Sequence, residues 1–202
     1  SYLEWIASAP IRHRATVGGN IVNASPIGDL TILFLALGAR LGLRGPAGAR
    51  ELELERFFLG YKRLDLSDGE VLEWIAFPTL HPEQRFNFEK VGRRKHLDIA
   101  SVNSAACLSL RGKTIAEARL SAGGVAPVPL LLRNTSQFLA GRQAAIPALK
   151  HALRLAQEEV SPISDVRGSA DYKRLLLRQL LVAHFLRLLP EVVSPQSAGE
   201  LL

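Results

Sequence analysis

Read for apolar and polar alternation, the chain resolves into short strands and a few helices. Residues 1–8 bring Leu3, Trp5 and Ile6 together as a short helix. Pro10 is expected to end it, because the residue before a proline disfavours the α conformation. Leu30 to Leu37 is an apolar helical run with Asp29 as predicted N-cap and Gly38 as its stop. Ala39, Leu41 and Leu43 then alternate with Arg40, Gly42 and Arg44, residues 51–55 alternate again, and Val71 to Phe77 is a third strand closed by Pro78. A Gly-Pro-Ala-Gly turn at 45–48 separates the first two, and residues 56–61 read as a short packed turn. The apolar period lapses at 79–84. Beyond it, Phe86, Phe88 and Lys90 share one strand face by the period of two. Residues 101–111 and 115–122 alternate around Gly112-Lys113 and predict a hairpin. Thr135 is a candidate cap for a short helix ending at Gly141, and residues 147–160 carry a helical period through Leu149, Leu153 and Ala156. The clearest helix is 169–189, with Leu177, Leu181, Phe185 and Leu188 as its stripe and Lys173, Arg174, Arg178 and Arg187 off it.

The predicted class is α+β. An α/β unit covers residues 1–79, a small antiparallel sheet with C-terminal helices covers 84–192, and 193–202 is expected to be a flexible tail. With 202 residues, 48% of them hydrophobic, the chain can bury one large core or two small ones.

Charge and cysteine content exclude several functions. The net charge is +6, but the basic residues are scattered (Arg12 to Arg14, Lys62-Arg63, Arg93 to Lys95, Lys173-Arg174) and aromatics are only 6%, so no nucleic-acid partner is expected. The longest apolar run, Leu30 to Ala39, falls short of the roughly 20 residues a membrane span needs. The opening residues have no basic leader with an apolar core and cleavage site. The single cysteine, Cys107, cannot form an internal disulfide, and an iron–sulfur cluster takes about four such ligands. It reads as a small buried hydrophobe, and a cytoplasmic location is expected. The five histidines lack metal-ligand spacing, so no metal site is expected.

The densest chemistry lies in the stretch from Arg14 to Asp29, Arg-Ala-Thr-Val-Gly-Gly-Asn-Ile-Val-Asn-Ala-Ser-Pro-Ile-Gly-Asp. Gly18-Gly19 lets backbone amides approach a ligand, since neither residue has a Cβ and both can take φ > 0. Thr16, Asn20, Asn23 and Ser25 add polar groups, and Asp29 can accept from a hydroxyl. On pattern alone, a tight turn with a helix cap fits equally well. The spacings of a dinucleotide fingerprint and of a P-loop are both absent. Ser121 to Gly124, before Pro127, echoes the glycine pair and reads as a packing turn. Lys90, on an aromatic face, needs a partner, whether a ligand or water reached at the strand end. Asp165, Arg167 and Asp171 read as a salt-bridge cluster at a helix start.

Taken whole, residues 11–29 resemble the flavin-binding segment of the molybdenum hydroxylases, the family of xanthine dehydrogenase. The likeness continues through Phe-Phe-Leu-Gly-Tyr-Lys at 57–62, Glu-Val-Leu at 70–72, Phe-Glu-Lys-Val-Gly-Arg-Arg at 88–94 and Leu-Asp-Ile-Ala at 97–100. It extends to Ser-Ala-Gly-Gly-Val-Ala-Pro at 121–127 and to residues 162–174, in order, over nearly the whole chain. The resemblance implies an oxidoreductase subunit that binds FAD and passes electrons from iron–sulfur clusters to an acceptor such as NAD. Molybdopterin and 2Fe-2S centres are then expected on partner subunits or domains, and no side chain here acts as acid, base or nucleophile.

By matching motif, Thr16, Val17, Gly18, Gly19 and Asn20 should line the FAD diphosphate and ribityl region. Asp29 should hydrogen-bond FAD, Leu72 should pack near the flavin, and Lys90 should reach it from the second unit; Asn23 and Gly28 are further lining positions. Ile6 stands where some relatives place an aromatic against the flavin. Lys95-His96-Leu97 replaces the consecutive acids of some relatives, so Asp98 is given no flavin role. The family's flavin domain begins with another α/β subdomain carrying a second glycine-rich loop, and this chain starts after it. The isolated chain is therefore expected to hold FAD weakly or not at all. A rival reading is a non-catalytic scaffold that keeps the fold without flavin. The reductase of cell-wall precursor synthesis shares the flavin fold, but the motifs at 121–127 and 165–169 argue against it.

Overall fold

The computed structural model describes residues 2–94 and 98–201. Lys95 of the Arg93 to Lys95 basic group and the His96-Leu97 pair of the family motif lie outside the described residues.

A 3-10 turn at Tyr2–Trp5 leads into α1 (Ala9–Arg12), α2 (Val17–Val22) and α3 (Asp29–Ala36). Pro10 was expected to end a helix but sits in the first turn of α1, where its missing N–H leaves no hydrogen bond unmade. Strands β1 (Arg40–Gly45), β2 (Gly48–Glu53) and β5 (Val71–Ala76) form an antiparallel sheet in the order β2-β1-β5, and β3 (Phe58–Gly60) pairs with β4 (Arg63–Leu64). The second sheet comprises β6 (Gln84–Val91), β7 (Val102–Arg111), β8 (Thr114–Gly123), β9 (Leu130–Leu131) and β10 (Arg142–Gln143). It runs β10-β8-β7-β6, with β9 also on β8 and β6 at an edge. Helices α4 (Arg133–Leu139), α5 (Ile146–Glu158) and α6 (Ala170–Leu188) cover one face.

The other face of this sheet receives α3. Apart from Thr31, that helix is apolar after Asp29, which suits burial between two layers. Ile32, Leu35 and Ala36 are fully buried in a core that also holds Leu41, Leu43, Phe57, Phe88 and Ala105. The sheet admits the helix because the residues opposite one another across β7 and β8 are small, Ala105 with Ser121 and Asn103 with Gly123. Ser121 Oγ donates to Ile32 O at 2.6 Å and the Arg119 guanidinium donates to Leu35 O at 3.2–3.3 Å, so the sheet also binds the helix backbone.

Four further expectations change. Thr135 lies inside α4 rather than capping it; its N–H and Oγ1 donate to Glu159 Oε1 at 2.7 and 2.6 Å, so a carboxylate from the end of α5 caps α4. Lys173 is off the apolar stripe yet only 2% exposed, because Asp165 Oδ2 (2.7 Å) and Ile163 O (2.9 Å) receive its ammonium. Asp165 thus takes its ion pair from Lys173, and of the expected cluster Arg167 contributes its backbone N–H, at 2.8 Å from Asp165 Oδ1. The segment after Val193 packs: Val193, Ala198 and Leu201 enter the second core and residues Ala198–Leu201 form a 3-10 turn. Among the described residues no helix is long and apolar enough to cross a membrane. Cys107 is buried, and burial raises its thiol pKa.

Candidate functional site

The glycine pair is helical. Thr16 caps α2, its Oγ1 accepting from Gly19 N at 2.9 Å, and neither glycine uses positive φ. The positive φ open to both glycines is not used; they sit in a capped helix start, and what they contribute is space. A Cβ on Gly18 would lie 3.6 Å from Leu72 Cδ2, and one on Gly19 would stand 2.8 Å from Thr16 Oγ1. The Val17 and Gly18 amides belong to the first turn and have no acceptor within the helix. Val17 itself is exposed, so this end of α2 is open to a ligand.

From there the predicted residues join hand to hand. Leu72 of β5 meets Gly18, and Asn20 reaches the turn before α3, where a Cβ on Gly28 would stand 3.3 Å from Asn20 Oδ1 and 3.1 Å from Thr31 Oγ1. Gly28, not Asp29, is the N-cap of α3, and it makes no side-chain cap. Asp29 occupies the first helical position. Its Oδ2 accepts from Lys90 Nζ at 2.7 Å and its Oδ1 accepts from Asn103 Nδ2 at 2.6 Å. Lys90 also donates to Trp5 O at 3.0 Å, next to Ile6. The strand-end snorkelling alternative for Lys90 is thereby replaced by a nearly buried ion pair, side chains 10% and 12% exposed. An ammonium has three donors. Among the described residues two are used, on Asp29 and on the Trp5 carbonyl.

Not every predicted residue lies on this line. Asn23 ends α2 and turns to Lys62, whose Nζ donates to its carbonyl at 2.5 Å and Oδ1 at 3.3 Å. Ile6 is buried at 6%, while its neighbour Trp5 is 50% exposed. Trp5 meets Lys90 through its backbone carbonyl, while its ring packs edge-on against Tyr2 at a centroid distance of 6.2 Å. Asn103 was missed: it lies in an alternating strand segment, and only the β6–β7 register, which sets Lys90 opposite Asn103, reveals it. Asp98 holds its own loop, accepting from the Arg93 and Arg94 amides at 2.6 and 2.9 Å; the Arg94 amide bond is the main cause of its lowered pKa.

The fit to a polar cofactor rests on unmet groups. Asn20 Oδ1 and Thr31 Oγ1 are buried without a hydrogen-bond partner among the described residues, both close to Gly28. Buried polar atoms are normally satisfied, so this wall is chemically prepared for a ligand bearing both donors and acceptors. The residues on it could hold the hydroxyl and carbonyl groups of FAD.

A cavity of about 500 Å³ opens where the chain runs from Ser25 to Ile27 just before Gly28. Tyr61, Lys62, Ser101, Arg167 and Lys173 also line it. Gly124 N donates to Pro26 O at 3.0 Å and closes its floor, so the second glycine pair does act as a packing turn. Burial raises the Asp165 pKa, but the Lys173 ammonium and the Arg167 amide outweigh it and leave this carboxyl below its ordinary value.

Residues 1–80 match the family described as FAD binding domain in molybdopterin dehydrogenase, and residues 87–188 match CO dehydrogenase flavoprotein C-terminal domain. The chain is 32% identical over 204 residues to xanthine dehydrogenase 1 of Arabidopsis thaliana, covering 98% of this chain and 15% of that protein. It is 33% identical over 168 residues to the carbon monoxide dehydrogenase medium chain of Afipia carboxidovorans, covering 83% and 58% respectively. Among solved structures, carbon monoxide dehydrogenase from Hydrogenophaga pseudoflava lacking the Mo-pyranopterin moiety of its molybdenum cofactor aligns with a TM-score of 0.84 at 31% identity, over 88% of this chain and 62% of that one. Quinoline 2-oxidoreductase from Pseudomonas putida aligns with a TM-score of 0.78 at 31% identity, over 89% and 62%. The chain thus spans about three-fifths of the length of the medium chain it matches and a smaller share of the xanthine dehydrogenase.

Proposed function

We propose that this chain, which belongs to the FAD-binding flavoprotein family of the molybdopterin dehydrogenases, supplies one wall of an FAD site in an electron-transferring oxidoreductase. The observation that carries the proposal is the joint between the two matched parts. Lys90 of the second part is bonded to Asp29 of the first, in line with Leu72, Gly18, Asn20 and Gly28. When bound, FAD supplies the electron-transfer chemistry, and the chain's own residues hold and orient it. Leu72 offers an apolar contact, the first-turn amides of α2 offer donors to anionic oxygens, and Lys90 offers its remaining donor. Thr16, Val17, Gly19 and Asn20 line the same wall, with Asn23, Gly28 and Ile6 at its margins. The division near residues 79–84 agrees with the gap between the two family matches.

The acceptor in this proposal is NAD. The adjoining cavity falls in the range of about 300–1,000 Å³ typical of small-ligand sites. It combines apolar walls (Pro26, Ile27, Tyr61) with the cations Lys62 and Arg167, while the carboxylate of Asp165 is paired with Lys173, which suits an aromatic anion. Electrons would arrive from iron–sulfur centres and ultimately from a molybdopterin centre on partner subunits or domains; the molybdenum cofactor named for the Hydrogenophaga pseudoflava relative supports the latter.

The test is FAD titration into the deflavo form of the assembled enzyme containing this chain, followed by flavin absorbance and reduction by substrate with NAD as acceptor. Asp29→Asn and Lys90→Met are expected to weaken FAD binding at least tenfold without loss of the iron–sulfur spectrum. Unchanged binding in both variants would return the chain to the role of a scaffold.

A further inference from the structure

Asn103 is completely buried on the face of β7 that receives α3. It stands in register between Lys90 on β6 and Gly123 on β8, so the three residues form one rung across the sheet. Its Nδ2 has two hydrogens and both are placed: one on Asp29 Oδ1 at 2.6 Å, the other on Ile27 O at 3.2 Å. Both partners are pure acceptors, so the amide cannot be turned over without setting its oxygen against two oxygens. Its own Oδ1 is buried and has no partner. Gly123 makes room for that oxygen, since a Cβ there would stand 2.2 Å from it and 2.8 Å from Pro26 O.

An unsatisfied buried carbonyl is costly, and an apolar side chain of the same shape would avoid that cost while giving up the donor to Asp29 Oδ1 and Ile27 O. A packing role does not account for an asparagine here; a directing role does. A carboxylate with one ammonium partner can swing about its side-chain torsions, but a second donor on the other oxygen fixes both oxygens. With Lys90 on Oδ2 and Asn103 on Oδ1, the Asp29 plane is set, and with it the direction of the lone pairs and of the remaining Lys90 proton.

We propose that Asn103 is a positioning residue for the FAD wall, holding the Asp29 carboxylate and, through it, Lys90 in the orientation that meets the cofactor. This rests on the FAD reading above. The experiment is a double-mutant cycle on FAD affinity in the deflavo form of the assembled enzyme, using Asn103→Leu, Asp29→Asn and the pair, with thermal unfolding measured alongside. Asn103→Leu is expected to weaken FAD binding about tenfold and to change the visible circular dichroism of bound flavin, with only a modest fall in the melting temperature of the deflavo form, because Asp29 Oδ1 and Ile27 O each lose a donor while Asn103 Oδ1 is no longer stranded. In the Asp29→Asn background the same substitution should have little further effect, because the group it positions is gone. A loss of thermal stability with unchanged FAD affinity would make Asn103 structural only. If Asp29→Asn weakens FAD binding and Asn103→Leu does not, the positioning role fails and the FAD site stands. If neither matters, the FAD site itself is misplaced and the inference falls with it. Should Asn103→Leu not fold, Asn103→Ser, whose single hydroxyl is too short to hold both Ile27 and Asp29, carries the same comparison.

Discussion

Substituting Lys90 by methionine isolates the joint between the two halves of the molecule. The ammonium lies 2.7 Å from Asp29 Oδ2, and both side chains are about nine-tenths buried. Breaking a fully buried pair costs about 3–5 kcal/mol, because a desolvated charge is left behind. Two features reduce that here. Asp29 sits at the first position of α3, where the helix dipole favours a carboxylate by about 0.3–1 kcal/mol, and Asn103 still donates to Oδ1. About 2–3 kcal/mol is therefore expected for Lys90→Met. Asp29→Asn should cost about 1–2 kcal/mol, since an amide N–H then faces the ammonium, which keeps Trp5 O as a partner. The double variant has no stranded charge and should cost about 2 kcal/mol, well short of the sum, giving a coupling of about 1–3 kcal/mol. Urea unfolding of the 202-residue chain at neutral pH, followed by far-ultraviolet circular dichroism at constant m value, measures all four corners. The coupling should survive 1 M salt, where exposed pairs such as Arg44–Glu73 are screened to within about 3 Å. Additive single effects, or a coupling abolished by salt, would refute a shielded Lys90–Asp29 contact.

Three other outcomes are expected. Gly19→Ala drives a methyl against Thr16 Oγ1 and displaces the cap of α2, so stability should fall by about 1 kcal/mol and flavin should be lost on gel filtration of the assembled enzyme. His184 is fully buried, and burial lowers its pKa from 6.5 to about 3, so the unfolded chain binds a proton that the folded chain does not. Unfolding free energy should therefore decrease as pH falls below 6.5, by up to about 1.4 kcal/mol per unit, and His184→Gln should flatten the slope between pH 6.5 and 4.5, above the range of ordinary carboxylates. Finally, FAD bound at this wall should quench part of the tryptophan emission through Trp5, whose backbone carbonyl accepts from Lys90; a Trp5→Phe variant that kept the full quenching would place the flavin elsewhere.

Much of the fold was legible because its signals are local. The β7–β8 hairpin follows from alternation around Gly112-Lys113, α6 from its leucine stripe and its Ser169 cap, which accepts from Tyr172 N. The burial of α3 follows from a run with no polar face. The sequence alone also determined the family, since ordered motifs survive without any knowledge of contacts, and it marked Asp29, Leu72 and Lys90 as candidates for one site. Tertiary structure decided how they meet. That Asp29 serves Lys90 and Asn103 instead of capping its own helix depends on strand register, which sets residues 61 and 74 positions apart side by side. The burial of Lys173 and the packing of the segment after Val193 depend on partners, Asp165 and the second core, that neither local polarity nor period encodes. The glycine pair became a helix start rather than a left-handed turn because glycine permits both, and it was the Thr16 cap and the approach of Leu72 that selected one.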